Sequence, residues 1–427
     1  MNNEQSERAP AVIVDPFTSG DEWAPAFAQR DVPAVAVISS EGARAAYSAR
    51  GLRPDDFIEV HAWSPGLVER IRTLRPLCVL PGAESGVEIA DRLSAELTPS
   101  LANDPALAGA RRDKGLMQEA VAAAGLPVMR TLATDDAARV REWLRATGME
   151  DRPLILKPPA SAGTDGVTLV PAGADWRPAF DALLGRVNRL GDVNRTVVVQ
   201  EYVTGTEFVV DTVSYAGRHT LCGIARYTKH TGDGVVARYD SVEFVPYDGV
   251  KHSSLVSYAY GVLDALGIRF GAGHIEIIMT ANGPRLVECG ARVHGGGQPE
   301  LARLGSGSSQ VDRLADAFCT DGQEMAGQYE QARTVLSVFL SAPAAGALEN
   351  TAALARAATL SSHYCTNVNH ADGDIVARTT DLFSTLGMIV LAHDRRSQVM
   401  SDYAAVRELE RQVRVRTVAA PQGASRD

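Results

Sequence analysis

The stretch HIEIIMTANGPRLVECGARVHGGG, residues 274–297, sets the terms for the rest of the chain. Two apolar runs, Gly273–Met279 and Arg285–Cys289, flank Thr280-Ala281-Asn282-Gly283-Pro284, and Asn-Gly is a strong hairpin signal. Each run carries one carboxylate, Glu276 and Glu288, 12 residues apart. Alternation points His274, Glu276 and Ile278 one way and sends Leu286 together with Glu288, so register can place both carboxylates on one face. A charge among strand apolars is costly unless paired or metal-bound. Two hard oxygen donors beside a phosphate chain suit Mg²⁺; a solvated sheet face is the plainer alternative. Arg292 follows, with a fixed fork for phosphate or carboxylate. After His294, three glycines would let backbone amides approach an anion closely. A structural histidine and an unliganded glycine turn are the competing readings.

Upstream, the strand PLILKP ends in Lys157 and runs into SAGTDG at 161–166. A small glycine-bearing loop between strands can wrap a phosphate with its amides. It is no Walker A loop, because GKS/T is absent and the lysine precedes the glycines. Further on, Gln200-Glu201-Tyr202-Val203 ends a strand and leads to Gly205 and Glu207. Such a corner could offer backbone groups to a planar base and a carboxylate to ribose hydroxyls; a salt-bridged edge strand would look the same. Of 42 basic residues only four are lysine: Lys114, Lys157, Lys229 and Lys251. Where arginine serves as the generic surface cation, a retained lysine points to a need for a compact ammonium. Lys229, in RYTKHTGDG, fits either a substrate anion or a surface loop, and Lys251 reads as surface.

The 427 residues suggest two to four packed units. Residues 1–10 and 418–427 read as disordered tails. From 11 to 104, AVIVD (11–15), AVAVIS (34–39), FIEV (57–60) and LCVLP (77–81) read as buried parallel strands with helices between them at 21–30, 41–50 and 64–74. The segment Glu84–Leu97 closes this doubly wound α/β unit. A long helix is expected at 105–124, ended by Gly125-Leu126-Pro127. Helices are also expected at 135–147, 175–190, 253–266 and 310–330, and a small α+β appendage over 331–417. A net charge of −10 argues against nucleic acid or an anionic membrane as partner. No run of 18 apolar residues occurs, and five scattered cysteines without CxxC fit a reduced cytoplasm.

In order, RDKGLMQEAVAAAGLPV (112–128), LILKPPASAGTDGV (154–167), VVVQEYVTGTEFVVD (197–211), GAGHIEIIM (271–279) and RLVECGARVHGG (285–296) resemble the ATP-grasp superfamily of carboxylate–amine ligases. The resemblance covers about 100–310, an ATP-grasp domain over 105–330 with a lid subdomain at about 128–205. The appendage resembles that of the dipeptide-forming L-amino acid ligases. The resemblance implies ATP and Mg²⁺ as cofactors, two metal ions, with Mn²⁺ also compatible. It implies that Lys114 and Lys157 contact the phosphates. Ser161, Gly163, Thr164 and Gly166 would close over the triphosphate. Glu201 and the Val203 backbone would bind adenine, and Glu207 the ribose. Glu276 and Glu288 would hold the metals, Arg292 would stabilise the transferred phosphoryl group, and His274 would orient substrate. One departure stands out: Gly290 occupies the place where many relatives carry a further metal-binding asparagine. Dipeptide ligases share that small residue, the arginine four after the glutamate and the histidine two before the first one. The implied substrates are a small carboxylate and an amine, amino acids foremost, in cytoplasmic secondary metabolism. A homodimer is the state frequent among relatives. A bicarbonate-activating carboxylase and a nucleotide-binding protein without turnover are the rival readings.

Overall fold

The computed structural model describes residues 8–47, 51–232, 235–325 and 327–416. They pack as two compact units, one holding the residues up to Ala225 with Pro246–Glu330, the other Arg226–Val245 with those from Gln331 on. The expected tail at 418–427 lies outside the described residues. At the other end, residues 8–10 are not a tail: Leu77 donates its N–H to the Pro10 carbonyl at 2.9 Å, and Pro10 is buried.

In the first unit, β1 (Ala11–Val14), β2 (Ala34–Ile38), β3 (Glu59–Ala62) and β4 (Cys78–Pro81) form a parallel sheet in the order β3-β2-β1-β4. Its two faces are both covered, as all-apolar parallel strands require. Val12, Val14, Val35 and Val37 pack with Ile71 and Leu93 on one side, and Ile13 packs with Trp23, Phe27 and Leu314 on the other. β3 corrects the expectation of four buried strands. It starts two residues later than expected, after the 3₁₀ turn Pro54–Asp56, and lies half exposed at the sheet edge, with Ile58 58% accessible. The chain order reverses between β1 and β4, and in open α/β sheets ligands gather at the C-terminal ends of strands at such a point. Asp15 and Glu84 lie just past those two ends.

The expected helix at 105–124 is broken. Two 3₁₀ turns, Pro105–Leu107 and Gly109–Arg111, precede a helix that starts only at Lys114. Asp113 causes the restart: its carboxylate accepts the N–H groups of Gly115 and Leu116. The segment before it is anchored by Arg111, which is fully buried. Arg111 ion-pairs with Asp91 at 2.7 Å and donates to the Leu266 and Asp104 carbonyls. Arg111→Ala takes the ion-pair partner from the partly buried Asp91 and the donor from two carbonyls, and should lower the unfolding free energy by about 3 kcal/mol in urea titration.

β5 (Thr131–Thr134), β6 (Leu154–Lys157), β7 (Thr168–Val170) and β8 (Val197–Glu201) make a second, antiparallel sheet in the order β5-β8-β6-β7. The helix expected at 175–190 ends at Leu183, where Leu184 turns extended and Gly185 takes a left-handed φ of 74°. The third sheet of this unit has the order β13-β12-β9-β10, from β9 (Thr206–Tyr215), β10 (Arg218–Gly232), β12 (Gly271–Thr280) and β13 (Gly283–Gly290). The residues of β10 from Arg226 on belong to the second unit. The helix expected at 310–330 covers only Gln310–Cys319, started by a reciprocal cap between Ser309 and Asp312.

The second unit joins β11 (Val235–Val245) to the strands Thr334–Leu340, Gly387–His393 and His363–Val368, in that order. The helix Arg396–Gln412 packs on them through Val399, Val406 and Leu409. Asp240 ties β11 to this helix, accepting from Tyr403 at 2.6 Å and Arg407 at 2.9 Å. No described helix is long and apolar enough to cross a membrane.

Candidate active site

Glu276 on β12 and Glu288 on β13 are direct cross-strand partners, so their side chains share a face. Just beyond, the register shifts: Ile277 pairs with Leu286, and Val287 is the extra residue of a bulge. The bulge overturns one expectation. Leu286 does not point with Glu288; it joins Ile277 in the core, both fully buried, because one inserted residue reverses the alternation. Lys157 donates to the Val287 carbonyl at 3.4 Å.

The two lysines come from different elements. Lys114 is the first residue of its helix, put there by the Asp113 cap. Its Nζ lies 2.9 Å from Glu288 Oε2 and donates to the Ser161 carbonyl at 2.8 Å. Lys157 ends β6 and is buried. Burial, with the like charge of Lys114, lowers its pKa to about 8; Glu288, Glu276 and Glu207 act against that shift. The carboxylates thus keep a nearly dry ammonium close to charged at neutral pH.

Arg292 reaches back to the first sheet. Its Nε lies 3.1 Å from Glu84 Oε2, and Arg112 Nη1 lies 2.9 Å from the other oxygen, Oε1. Burial alone would raise the Glu84 pKa, but Arg292, Arg112 and Lys114 hold it below the usual carboxylate range. Gly290 has a physical reason here. A Cβ at that position would come within 3.0 Å of the Arg292 guanidinium carbon, so the guanidinium fills the space a larger side chain would take. Gly290→Asn should displace the Arg292 guanidinium from Glu84, which a crystal structure of the variant would read.

His274 is buried. Its Nδ1 lies 3.0 Å from Asp211 Oδ1 and its Nε2 3.3 Å from Glu276 Oε1. Burial works against its charge, yet bonds to Asp211 and Glu276 raise its pKa to about 9. His294 Nδ1 takes the second oxygen of Asp211 at 2.8 Å, and burial lowers its pKa.

The remaining candidates are less uniform. In the loop 161–166, Gly163, Thr164 and Gly166 all have left-handed φ, and Ser161 donates to Asp165 at 2.8 Å. The same carboxylate of Asp165 accepts the Arg189 N–H, tying the loop to the turn at 184–194. The Glu201 side chain accepts the Arg130 N–H at 2.9 Å, so its carboxylate closes a local ring across β5 and β8. Val203 is half-buried in the link from β8 to β9. Gly205 in that link lies so close to β12 that a Cβ would meet the Met279 carbonyl oxygen at 2.2 Å. Glu207 sits opposite Ile278 and contributes to the field at Lys157. Lys251 is exposed, pairing with Asp248. Lys229, in the second unit, lies over the Tyr227 and Tyr239 rings, 5.0 and 4.4 Å from their centroids.

Three residues of the cluster escaped the sequence reading: Glu84, Arg112 and Asp211. Glu84 could have been found from its place past the last strand of the parallel sheet. Asp211, in VVDTV, is an acid inside an apolar strand, the same signal that singled out Glu276. For Arg112 no sequence signal distinguishes it among 38 arginines.

As for a metal, Glu276 and Glu288 carry hard oxygens on one face of the sheet beside two ammonium groups, a donor set that fits a divalent cation binding a polyphosphate. Lys114 and Lys157 beside this acidic pair, with Lys114 bonded to the glycine-bearing loop, make an arrangement suited to a polyphosphate. The ATP-grasp domain family matches residues 150–299. Dapdiamide A synthase of Enterobacter agglomerans is 30% identical over 414 residues, covering 93% of this chain and 95% of that protein. The solved L-amino acid ligase of Bacillus licheniformis superposes with a TM-score of 0.68 at 15% identity, over 96% of this chain and 98% of that one. N5-carboxyaminoimidazole synthase of Aspergillus clavatus, solved with ADP and 5-aminoimidazole ribonucleotide, gives 0.66 at 12% identity, over 95% and 99%. The chain belongs to the ATP-grasp carboxylate–amine ligases. It is an ATP-dependent carbon–nitrogen ligase with the ATP-grasp fold, carrying a parallel sheet at its N-terminal end.

Proposed function

We propose that the protein joins the carboxyl group of one small amino acid-like substrate to the amine of another, through an acylphosphate, releasing ADP and phosphate. The observation that carries this reading is the gathering of Lys114, Lys157, Glu276 and Glu288, with Arg292 beside them, from three separate parts of the chain. The names of two relatives, a dapdiamide synthase and an L-amino acid ligase, support amino acid-like substrates.

In the first half-reaction a carboxylate oxygen attacks the γ-phosphorus, and the bond to the bridging oxygen of ADP breaks. Phosphoryl transfer of this kind depends on position and charge neutralisation. Lys114 and Lys157 bind the phosphates, and Arg292, clamped by Glu84, faces the transferred group. Ser161, Gly163, Thr164 and Gly166 cover it and exclude water. Glu201 and the Val203 backbone hold adenine, and Glu207 the ribose. Glu276 and Glu288 would hold Mg²⁺, which would supply charge neutralisation at the phosphate oxygens. In the second half-reaction a neutral amine attacks the acyl carbon, the carbon–oxygen bond breaks, and the amine proton leaves with the phosphate. His274, locked between Asp211 and Glu276, orients this side of the site.

The test is a matrix of L-amino acids and simple amines, scored by phosphate release, nucleotide chromatography and product mass. ADP, phosphate and a condensed product are expected. AMP as product, ATP binding without turnover in every pairing, or a requirement for bicarbonate would reject the reading.

Lys157 adds a pH dependence. Its ammonium form binds phosphate, and its pKa in the free protein is about 8. ADP affinity should therefore hold below pH 8 and fall by up to about tenfold per unit above it, with proton uptake on binding. Lys157→Arg should flatten the decline. Calorimetry in buffers of different ionisation enthalpy reads both, and an affinity level from pH 7 to 9.5 in the wild type would remove Lys157 from the phosphate contact.

A further inference from the structure

Asp211 lies in β9 opposite His274 in β12, so its carboxylate rises on the face that carries Glu276. It is buried, and each of its oxygens meets the Nδ1 of a different histidine, His274 at 3.0 Å and His294 at 2.8 Å. The two rings lean on each other, 4.1 Å between centroids. His294 is held from behind as well: its N–H donates to Gln310 Oε1 at 2.9 Å, and Gln310 Nε2 donates to the Thr212 and Gly273 carbonyls on β9 and β12. A carboxylate bound at both oxygens cannot rotate about its last bond without losing a partner. His274 is fixed in turn, and its far nitrogen, Nε2, lies 3.3 Å from Glu276 Oε1. A ring whose two nitrogens both face carboxylates donates from both.

We propose that Asp211 is a positioning residue for Glu276: gripped by His294, it holds the His274 ring so that one oxygen of the Glu276 carboxylate is fixed and the other faces the metal and phosphate. The proposal rests on the reading of Glu276 as a metal holder. Buried partners of metal-binding side chains orient them, and losing such a partner commonly costs 10–100-fold in metal affinity. Chance packing of polar groups would not place four side chains from three segments in one unbroken line ending on that carboxylate.

The experiment measures ADP binding by calorimetry against Mg²⁺ concentration, for the wild type, Asp211→Asn, His274→Gln and Glu276→Gln, with melting temperatures for each. Asp211→Asn keeps the shape but turns a donor toward one histidine. It should raise the Mg²⁺ concentration for half-maximal ADP binding by about 10–100-fold. ADP affinity without Mg²⁺ should stay within about twofold of the wild type in this variant, a split that loss of structure alone would not produce. If Asp211→Asn does not fold, His274→Gln must show the same shift. A shift in Glu276→Gln with none in Asp211→Asn or His274→Gln overturns the proposal. So does a lowered melting temperature without a changed Mg²⁺ requirement. No shift in Glu276→Gln overturns instead the metal reading on which it rests.

Discussion

Glu288→Ala is expected to cut substrate-dependent ATP consumption by about a thousandfold while the protein still folds. Three losses add up at one position. The carboxylate pair across β12 and β13 is halved, leaving a single acidic donor for the cation. Lys114 loses its partner 2.9 Å away and keeps the Ser161 carbonyl. Lys157 loses one of three carboxylates that oppose the lowering of its pKa, so it sheds its proton below its present value of about 8. A smaller share of Lys157 is then protonated at neutral pH. The protein should still fold: the Glu288 side chain is 21% exposed, so water can reach the Lys114 ammonium left behind. Phosphate release and urea unfolding, run side by side, check both halves. Activity close to wild type would remove Glu288 from the site.

Arg292→Ala is the second large effect, again about a thousandfold, now in kcat with the KM for ATP within about threefold. The guanidinium is immobilised by Glu84 at Nε and by the Val293 carbonyl at Nη1, so it is aimed before any ligand arrives. A preset charge of this kind acts chiefly where negative charge develops. Arg292→Lys should recover little, since an ammonium cannot keep the Nε contact to Glu84 and the planar fork at once. Steady-state kinetics on both variants decides the matter. A rise in KM with kcat unchanged would make Arg292 a ground-state binder.

The candidate site was legible because its chemistry sits in short runs that local rules interpret. Glu276 and Glu288 stood out as acids in apolar strands joined by an Asn-Gly turn, and the hairpin is there. Lys157 stood out as the end of a strand before a glycine-bearing loop. Alternation misplaced Leu286 because the bulge at Val287 depends on what lies across the sheet, not on residues 285–289 alone. The helix at 105–124 failed differently: Asp113 takes the N–H groups of the next turn and restarts the helix there. That restart brings the Lys114 ammonium to Glu288.

By itself the sequence determined the parallel sheet at the start of the chain and the acidic hairpin, because each follows from periodicity, turn chemistry or the cost of an isolated charge. Only the tertiary structure decided that Glu84, 208 residues away in sequence, would clamp Arg292, and that Asp211 would bind two histidines from different segments. Such pairings depend on which elements meet in space. A buried carboxylate will accept whatever donors the packing brings to it, and no local pattern names them in advance.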